Sequence, residues 1–566
     1  MGQYKSGIYE TSVKGNHGPI NVRTTFSDEA ILEVQVFDHG ETAGLTAPVF
    51  QRIPQAIVAQ QSLNIDAISG ATVTSEGIIA AVTLAVEEAG GDVEALKNKD
   101  QASNDKLEER LSTDILVVGS GGAGLAAAIS AYEHGAKNIL VLEKLGTIGG
   151  STGLSGGGIA APGTKFQREA GIEDTKVSWM SLWKERQASS NPEGLYPNYE
   201  VVDKFMDEAI ITTEWLHDYA GHAYRQIYGF GVDPVRRLHD PIEQKDGATL
   251  GQSLIQNLVK FLEDHHIELR TETAVKELIW EDGQLVGALA EGPEAALTIR
   301  AKKVILASGG FAKNEEMLQQ YVPQAAGTSF TSMATPGATG DGILMALDAG
   351  ATLYEEPWII GLGITSYLQH PVMQSLMMDW SKVYVNQIGE RFMNEQSHYA
   401  IAANQLLDQD ATWLLLDSAE QNQALVEALE TLLPSDQAVK AETIEALAEA
   451  MNVPPVTLSQ TMQQYNEGAE AGQDAFGKDA EFLAPVRQSP FYAIKMYPLT
   501  MGTFGGVKTD EAMRVLKADG SSIENLYAVG ETANKVLYNQ VYMSGSAVQF
   551  ALTSGRLSGE HAAKHL

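Results

Sequence analysis

The sequence predicts an α/β protein in which a Rossmann-like domain follows a small α+β unit. Three observations predict it. The apolar run Ile115-Leu116-Val117-Val118 closes on Gly119-Ser120-Gly121-Gly122-Ala123-Gly124 and passes into an Ala-rich helical run ending at Ala131. A second apolar run, Asn138 to Leu142, ends in Glu143. Two later runs close in a similar way, at Ala307-Ser308-Gly309-Gly310 and at Tyr527-Ala528-Val529-Gly530-Glu531.

Each residue type in the first motif has a physical reason. Gly119 permits the tight strand-to-helix turn, Gly121 lets the backbone approach a pyrophosphate, and Gly124 lets helix and strand pack closely. The helix start near Gly122 offers unpaired N–H groups to phosphates. Glu143 stands 24 residues after Gly119, where a carboxylate accepts from a ribose hydroxyl. The stretch therefore predicts a dinucleotide site. Gly149-Gly150-Ser151-Thr152 and Ser155-Gly156-Gly157-Gly158 follow. Such a Gly/Ser-rich loop brings backbone donors close to a large planar cofactor.

Residues 1–91 read as a unit of their own. Val22 to Phe26 and Ile31 to Phe37 alternate as strands do, and helical stretches follow at Val49 to Gln61 and Glu76 to Ala89. Between the helices lies Asp66-Ala67-Ile68-Ser69-Gly70-Ala71-Thr72-Val73-Thr74-Ser75. Its plain reading is a glycine turn with a Ser/Thr helix cap. Residues 92–111 read as a linker, since Asn98 to Arg110 is almost wholly polar.

Composition narrows the function. The chain has 566 residues, enough for three or four domains. Its formal charge of -34, from 39 basic and 73 acidic residues, argues against nucleic acid and anionic membrane as partners. The absence of cysteine excludes disulfides, iron–sulfur clusters and thiolate catalysis in this chain. No metal-binding spacing occurs. Outside the Gly-broken motif at Gly119 to Gly124 there is no apolar run of about 18 residues, and there is no apolar h-region at the start. A cytoplasmic protein is the expectation.

The motifs from roughly Asp114 to the C-terminus resemble the flavoprotein family of fumarate reductases, succinate dehydrogenases, urocanate reductases and 3-ketosteroid dehydrogenases. The resemblance implies non-covalent FAD. Its holders would be the motif residues Gly119, Gly121, Gly122, Ala123 and Gly124, then Glu143 and Lys144, and the loop residues Gly150, Ser151, Thr152, Gly157 and Gly158. Later segments would add Val275, Ser308, Gly309, Asp341, Glu531, Ser546, Ala547 and Val548. It also implies a Rossmann-like FAD-binding domain over 112–350 and 490–566, with an inserted α+β capping domain over 351–489. The string from Asp66 to Ser75 resembles the flavinylation motif of FMN-binding domains. That implies FMN held covalently on Thr72, with Asp66, Ser69, Gly70 and Ala71 beside it, attached by a separate flavin transferase.

The cap holds Gly389-Glu390-Arg391-Phe392-Met393-Asn394-Glu395, which resembles the family's Gly-x-Arg-Phe-x-Asn-Glu signature. The resemblance implies that Arg391 delivers a proton to the substrate carbon; an ion pair tying cap to core is the plain alternative. Two positions depart from the fumarate reductases. Gly502 stands where they carry a His, and Tyr542 where they carry an Arg. Losing such cations weakens recognition of a small dicarboxylate. A pocket of Gly502, Phe504 and Ser544, with Tyr542 polarising a carbonyl, is expected in their place.

These features point to a two-flavin ene-reductase that passes electrons from FMN to FAD and reduces an α,β-unsaturated carboxylate, aromatic or bulky like a hydroxycinnamate. A ketosteroid or enone reductase or dehydrogenase, a fumarate or urocanate reductase, an electron-transfer flavoprotein and a flavin oxidase are the alternatives. An external NADH:flavin reductase or free reduced flavin is the expected donor.

Overall fold

The computed structural model describes residues 3–15, 18–39, 47–68, 71–98, 107–229, 232–243, 249–329, 332–367 and 370–566. The N-terminal unit is an antiparallel sheet of β1 (Gly7–Lys14), β2 (Pro19–Phe26) and β3 (Ile31–His39), in that order. β2 alternates, with Ile20, Val22 and Phe26 buried. That face is covered by α1 (Ala47–Gln60) and α2 (Thr72–Glu88), which close a core with it. α2 begins ahead of the expected Glu76, so Thr72 is its first residue. Ser69 and Gly70 lie outside the described residues.

β4 (Leu107–Val118) opens the large sheet. Its polar first half, expected as linker, is strand from Leu107 onward and pairs in parallel beside residues from Ala295. Next come α3 (Gly122–Glu133), β5 (Ile139–Leu142) and a small sheet of β6 (Ile159–Ala160), β7 (Tyr224–Tyr228) and β8 (Leu238–Pro241). The large sheet then adds β9 (Glu268–Arg270), β10 (Ala274–Glu281), β11 (Gln284–Glu291) and β12 (Ala295–Leu306). Its order is β10-β11-β12-β4-β5-β9. The pairings β12–β4, β4–β5 and β5–β9 are parallel. The continuous apolar run of β4 now has its reason. Ile115 and Val117 enter the core on one face of the sheet, Leu116 and Val118 the core on the other.

The segment expected as the cap contributes to a second sheet of β13 (Trp358–Ile364), β14 (Val383–Asn386), β15 (Thr412–Asp417), β16 (Ala438–Ala441) and β17 (Phe491–Phe504). α4 (Tyr399–Leu407) lies between β14 and β15 in the chain. β17 pairs with β13, β15 and β16, so the sheet takes its central strand from beyond residue 490. The chain returns through β18 (Arg514–Leu516) and β19 (Ser522–Ala528), which runs parallel to β12. It ends in α5 (Ser546–Lys564). Gly555 and Gly559 let α5 lie on α3, where a Cβ would strike the carbonyls of Ala123 and Ala127.

Candidate active site

The C-terminal ends of β4, β5, β12 and β19 converge on a cavity of about 480 Å³, where a parallel sheet places a ligand site. Gly119 has φ +112, and a Cβ there would run into the Ala307 carbonyl, so only glycine turns the chain at this point. A Cβ on Gly124 would strike the Gly119 carbonyl, so that glycine packs the helix on the turn and does not line the cavity. α3 then starts without a side-chain cap at Gly121. Gly122 N donates to Thr152 Oγ1 at 3.3 Å, which ties the helix start to the Gly/Ser-rich loop.

Glu143, buried at the end of β5, accepts from Ser120 N (3.0 Å), Ser120 Oγ (2.8 Å) and Leu145 N (2.9 Å). Lys144 Nζ reaches Asp341 Oδ2 at 2.7 Å and Thr339 Oγ1 at 2.5 Å, drawing a distant loop onto the cavity wall. Gly150, Ser151, Thr152, Gly157, Gly158, Val275, Ser308, Gly309, Glu531, Ala547 and Val548 complete this part of the lining. Gly121, Gly156 and Gly309 present bare backbone to the cavity. An added Cβ meets nothing within 4 Å at Gly156 or Gly309, and only the Gly149 carbonyl, at 3.8 Å, at Gly121. A helix N-terminus, a carboxylate and a glycine-lined floor fit a dinucleotide pressed against the backbone.

A second group of lining residues comes from the cap and its border: Tyr228, Met333, Ile360, Leu362, Tyr399, Met501 and Tyr542. Tyr542 Oη accepts from Gly545 N at 3.1 Å, and burial pushes its pKa up to about 12. Tyr399 opens α4; burial holds its hydroxyl well above the ordinary tyrosine value. Its oxygen lies 3.5 Å from Ser544 Oγ, which in turn is 2.8 Å from His398 Nε2. Both phenols are therefore neutral donors near neutral pH.

Several expected residues lie elsewhere. Arg391 does not line the cavity. Its side chain is 6% exposed and pairs with Glu395 at 2.6 Å and with Asp474, between the rings of Tyr465 and Phe476. Burial alone would lower its pKa, but the hydrogen bonds of Glu395 and Asp474 hold it above the ordinary arginine value. Such a guanidinium ties segments of the cap together. Phe504 is fully buried and stacks on Tyr538 at 4.2 Å, so it belongs to the core. Gly502 sits behind the cavity wall: a Cβ there would meet Glu531 Oε1 at 3.1 Å and Ile360 Cδ1 at 3.2 Å. The volume expected from a missing His ring is filled by those two side chains. Ser544 backs Tyr399, and Ser546 bonds Tyr538 Oη at 2.7 Å, so neither reaches the lining. Tyr399, only a few residues past the Arg391 signature, is a lining residue that no sequence motif marks.

In the N-terminal unit Thr72 and Asp66 are exposed and Ala71 is buried. α2 carries no side-chain cap at Ala71, and Thr72 stands at its N-terminal end, the end of a helix that favours an anion. Ser75 Oγ accepts from Ile68 N at 3.1 Å and holds the loop to this turn. Among the described residues there is no cluster able to hold a metal, and no helix is long and apolar enough to cross a membrane.

The model of an FAD binding domain matches residues 114–547, and that of an FMN-binding domain matches residues 15–87. The chain is similar to an NADH:acrylate oxidoreductase of Vibrio harveyi, 30% identical over 99% of this chain and 61% of that protein. It thus spans about three fifths of that relative's length. It is also similar to a vinyl phenol reductase of Lactiplantibacillus plantarum, 30% identical over 81% of this chain and 98% of that protein. Among solved structures it resembles the open conformation of a flavocytochrome c3 fumarate reductase, with a TM-score of 0.64 and 28% identity over 80% of this chain and 78% of that one.

Proposed function

The chain belongs to the flavoprotein family defined by this FAD binding domain and carries an FMN-binding domain ahead of it, and from that premise we propose that it is a two-flavin ene-reductase. Bound FAD supplies hydride to a carbon–carbon double bond conjugated to a carbonyl, and FMN on Thr72 supplies the electrons. The protein's part is to hold the acceptor and move its proton. Tyr399 and Tyr542 carry that role in place of Arg391. Both residues line the cavity; their hydroxyls donate to the oxygen on which charge develops, and one of them gives the proton to the α-carbon. Arg391 keeps the cap folded.

The observation that carries the reading is the pair of neutral phenols on a largely apolar wall of the dinucleotide cavity. Such a wall suits an aromatic or bulky acceptor of hydroxycinnamate type better than fumarate. An enone is the second reading. It is favoured by charge: among the described lining residues the one side-chain cation is Lys144, already 2.7 Å from Asp341. A carboxylate on the acceptor would lack the partner that a buried anion needs. The relative named for vinyl phenol supports an aromatic acceptor, and the relative named for NADH supports electrons that begin on NADH. A partner reductase or free reduced flavin would deliver them. The test is anaerobic turnover with matched acceptors: 4-hydroxycinnamate, benzylideneacetone, urocanate and fumarate. Fumarate as the best acceptor would overturn the pocket argument.

A further inference from the structure

Two residues where the two flavin-binding domains touch are unexpected for their backbone. Gly146 lies between Glu143 and the Gly149–Ser151 loop. Its φ is outside the left-handed range, so its own turn does not call for glycine. What a side chain would strike is Ile68 of the FMN-binding domain; the next neighbours, from Glu272, stand at an ordinary 3.6 Å. The missing side chain makes room for the other domain. Glu272 is the reverse case. Its φ is +53, a region that favours glycine, yet it carries a long acidic side chain. That carboxylate pairs with Arg52 on α1 of the FMN-binding domain.

Both residues connect directly to the cavity. Glu272 N donates to the Leu145 carbonyl at 2.9 Å and Thr273 N to the Glu143 carbonyl at 2.8 Å; Leu145, Thr273 and Glu143 all line the cavity. On the other side Ile68 is 4% exposed, and its N–H donates to Ser75 in the first turn of α2, the turn that begins with Thr72. The contact therefore lies between the FMN attachment turn and the segment that walls the FAD cavity.

We propose that this face is the docking interface at which the FMN-binding domain delivers electrons to the FAD-binding domain, with Ile68 seated in the Gly146 notch and Arg52 latched on Glu272. The proposal rests on the two-flavin reading above. Across it reduced FMN is oxidised and FAD is reduced by the same two electrons, with protons exchanged through solvent. The linker alone already raises the local concentration of one domain at the other. The notch and latch add orientation.

The chain has no cysteine, so Ile68→Cys combined with Gly146→Cys allows a single internal disulfide, between side chains close enough to bridge. In the full chain, matured with a flavin transferase, intact mass should show the loss of two hydrogens on oxidation. With free reduced FMN as donor, the locked protein should keep the part of turnover that Thr72→Ala loses; mass after the assay confirms the lock. Failure to form the bridge overturns the contact. Loss of that turnover in the locked form, with recovery on reduction, overturns its role in delivery. Because Ile68 is also core, a second set avoids it. Arg52→Glu and Glu272→Arg should each lower FMN-dependent turnover about 3- to 10-fold, and the double swap should restore it; no recovery overturns the latch. If Thr72→Ala keeps full turnover, the two-flavin reading itself fails, and the cross-link still decides whether the domains dock here.

Discussion

Gly121→Val should separate folding from cofactor binding. Gly121 has φ -70 and ψ 177, extended backbone that valine adopts readily. A Cβ there meets only the Gly149 carbonyl, at 3.8 Å. The apoprotein should therefore lose only about 1 kcal/mol, the cost of a poorer residue at the helix cap. The valine methyls would enter the cavity at the start of α3, where the pyrophosphate belongs. Losing one or two hydrogen bonds to a charged group costs about 1.5–3 kcal/mol each. FAD should bind roughly 10- to 10⁴-fold more weakly. Fluorescence titration of apoprotein with FAD measures the affinity, and thermal unfolding of the same apoprotein measures the fold. An affinity within threefold of the parent, at an unchanged unfolding temperature, would refute the placement of the pyrophosphate. Gly119→Ala is the contrasting control: its Cβ would strike the Ala307 carbonyl at a positive φ, so that variant should fail to fold stably.

Thr72→Ala should lack the FMN mass increment in protein matured with a flavin transferase, while FAD is retained; a persisting increment would place the attachment elsewhere. Arg391→Lys should lower the unfolding temperature, since an ammonium keeps the charge but cannot reproduce the forked pairing of Arg391 with both Glu395 and Asp474, yet leave turnover per bound FAD largely intact. A fall of about 10²–10⁴-fold without loss of stability would return the general-acid role to Arg391. Tyr399→Phe and Tyr542→Phe should retain FAD, and the variant lacking the proton donor should lose about 10²–10⁴-fold in turnover; normal rates in both would remove the phenols from the chemistry. Burial pushes Glu531 from 4.5 up to about 7, so between those values the folded apoprotein holds a proton that the unfolded chain has released. Stability contributed there is present below about 4.5 and falls as pH rises toward 7. Glu531→Gln should flatten that decline in apoprotein melts, and an unchanged slope would place the titration on another group.

The parts of this molecule that were legible in the sequence are those fixed by local rules. The turn at Gly119 and the close contact at Gly124 each follow from one backbone demand, and the apolar runs that end at Gly119 and Glu143 carry the parallel pairing of β4 with β5. The cap was harder. Arg391 sits in a recognisable signature, but the signature does not tell whether the guanidinium faces a substrate or its neighbours Glu395 and Asp474. That depends on a partner 83 residues away in the chain. Gly502 shows the same limit: a glycine reads as space until Glu531 and Ile360 are seen filling it. Phe504 read as pocket because aromatics line pockets, whereas its stacking on Tyr538 places it in the core. Residues from Leu107 read as linker because their polar side chains hide a strand that only pairing with β12 reveals.

Reduction of a conjugated double bond by the two-flavin protein can be read in a single anaerobic experiment. The full chain, carrying both flavins, is fully reduced, freed of excess reductant and mixed with an aromatic enoate or an enone. The flavin absorbance should return while one equivalent of saturated product forms for each two electrons recovered. Reduced flavins that no unsaturated acceptor reoxidises, but that oxygen or a redox protein does, would contradict it.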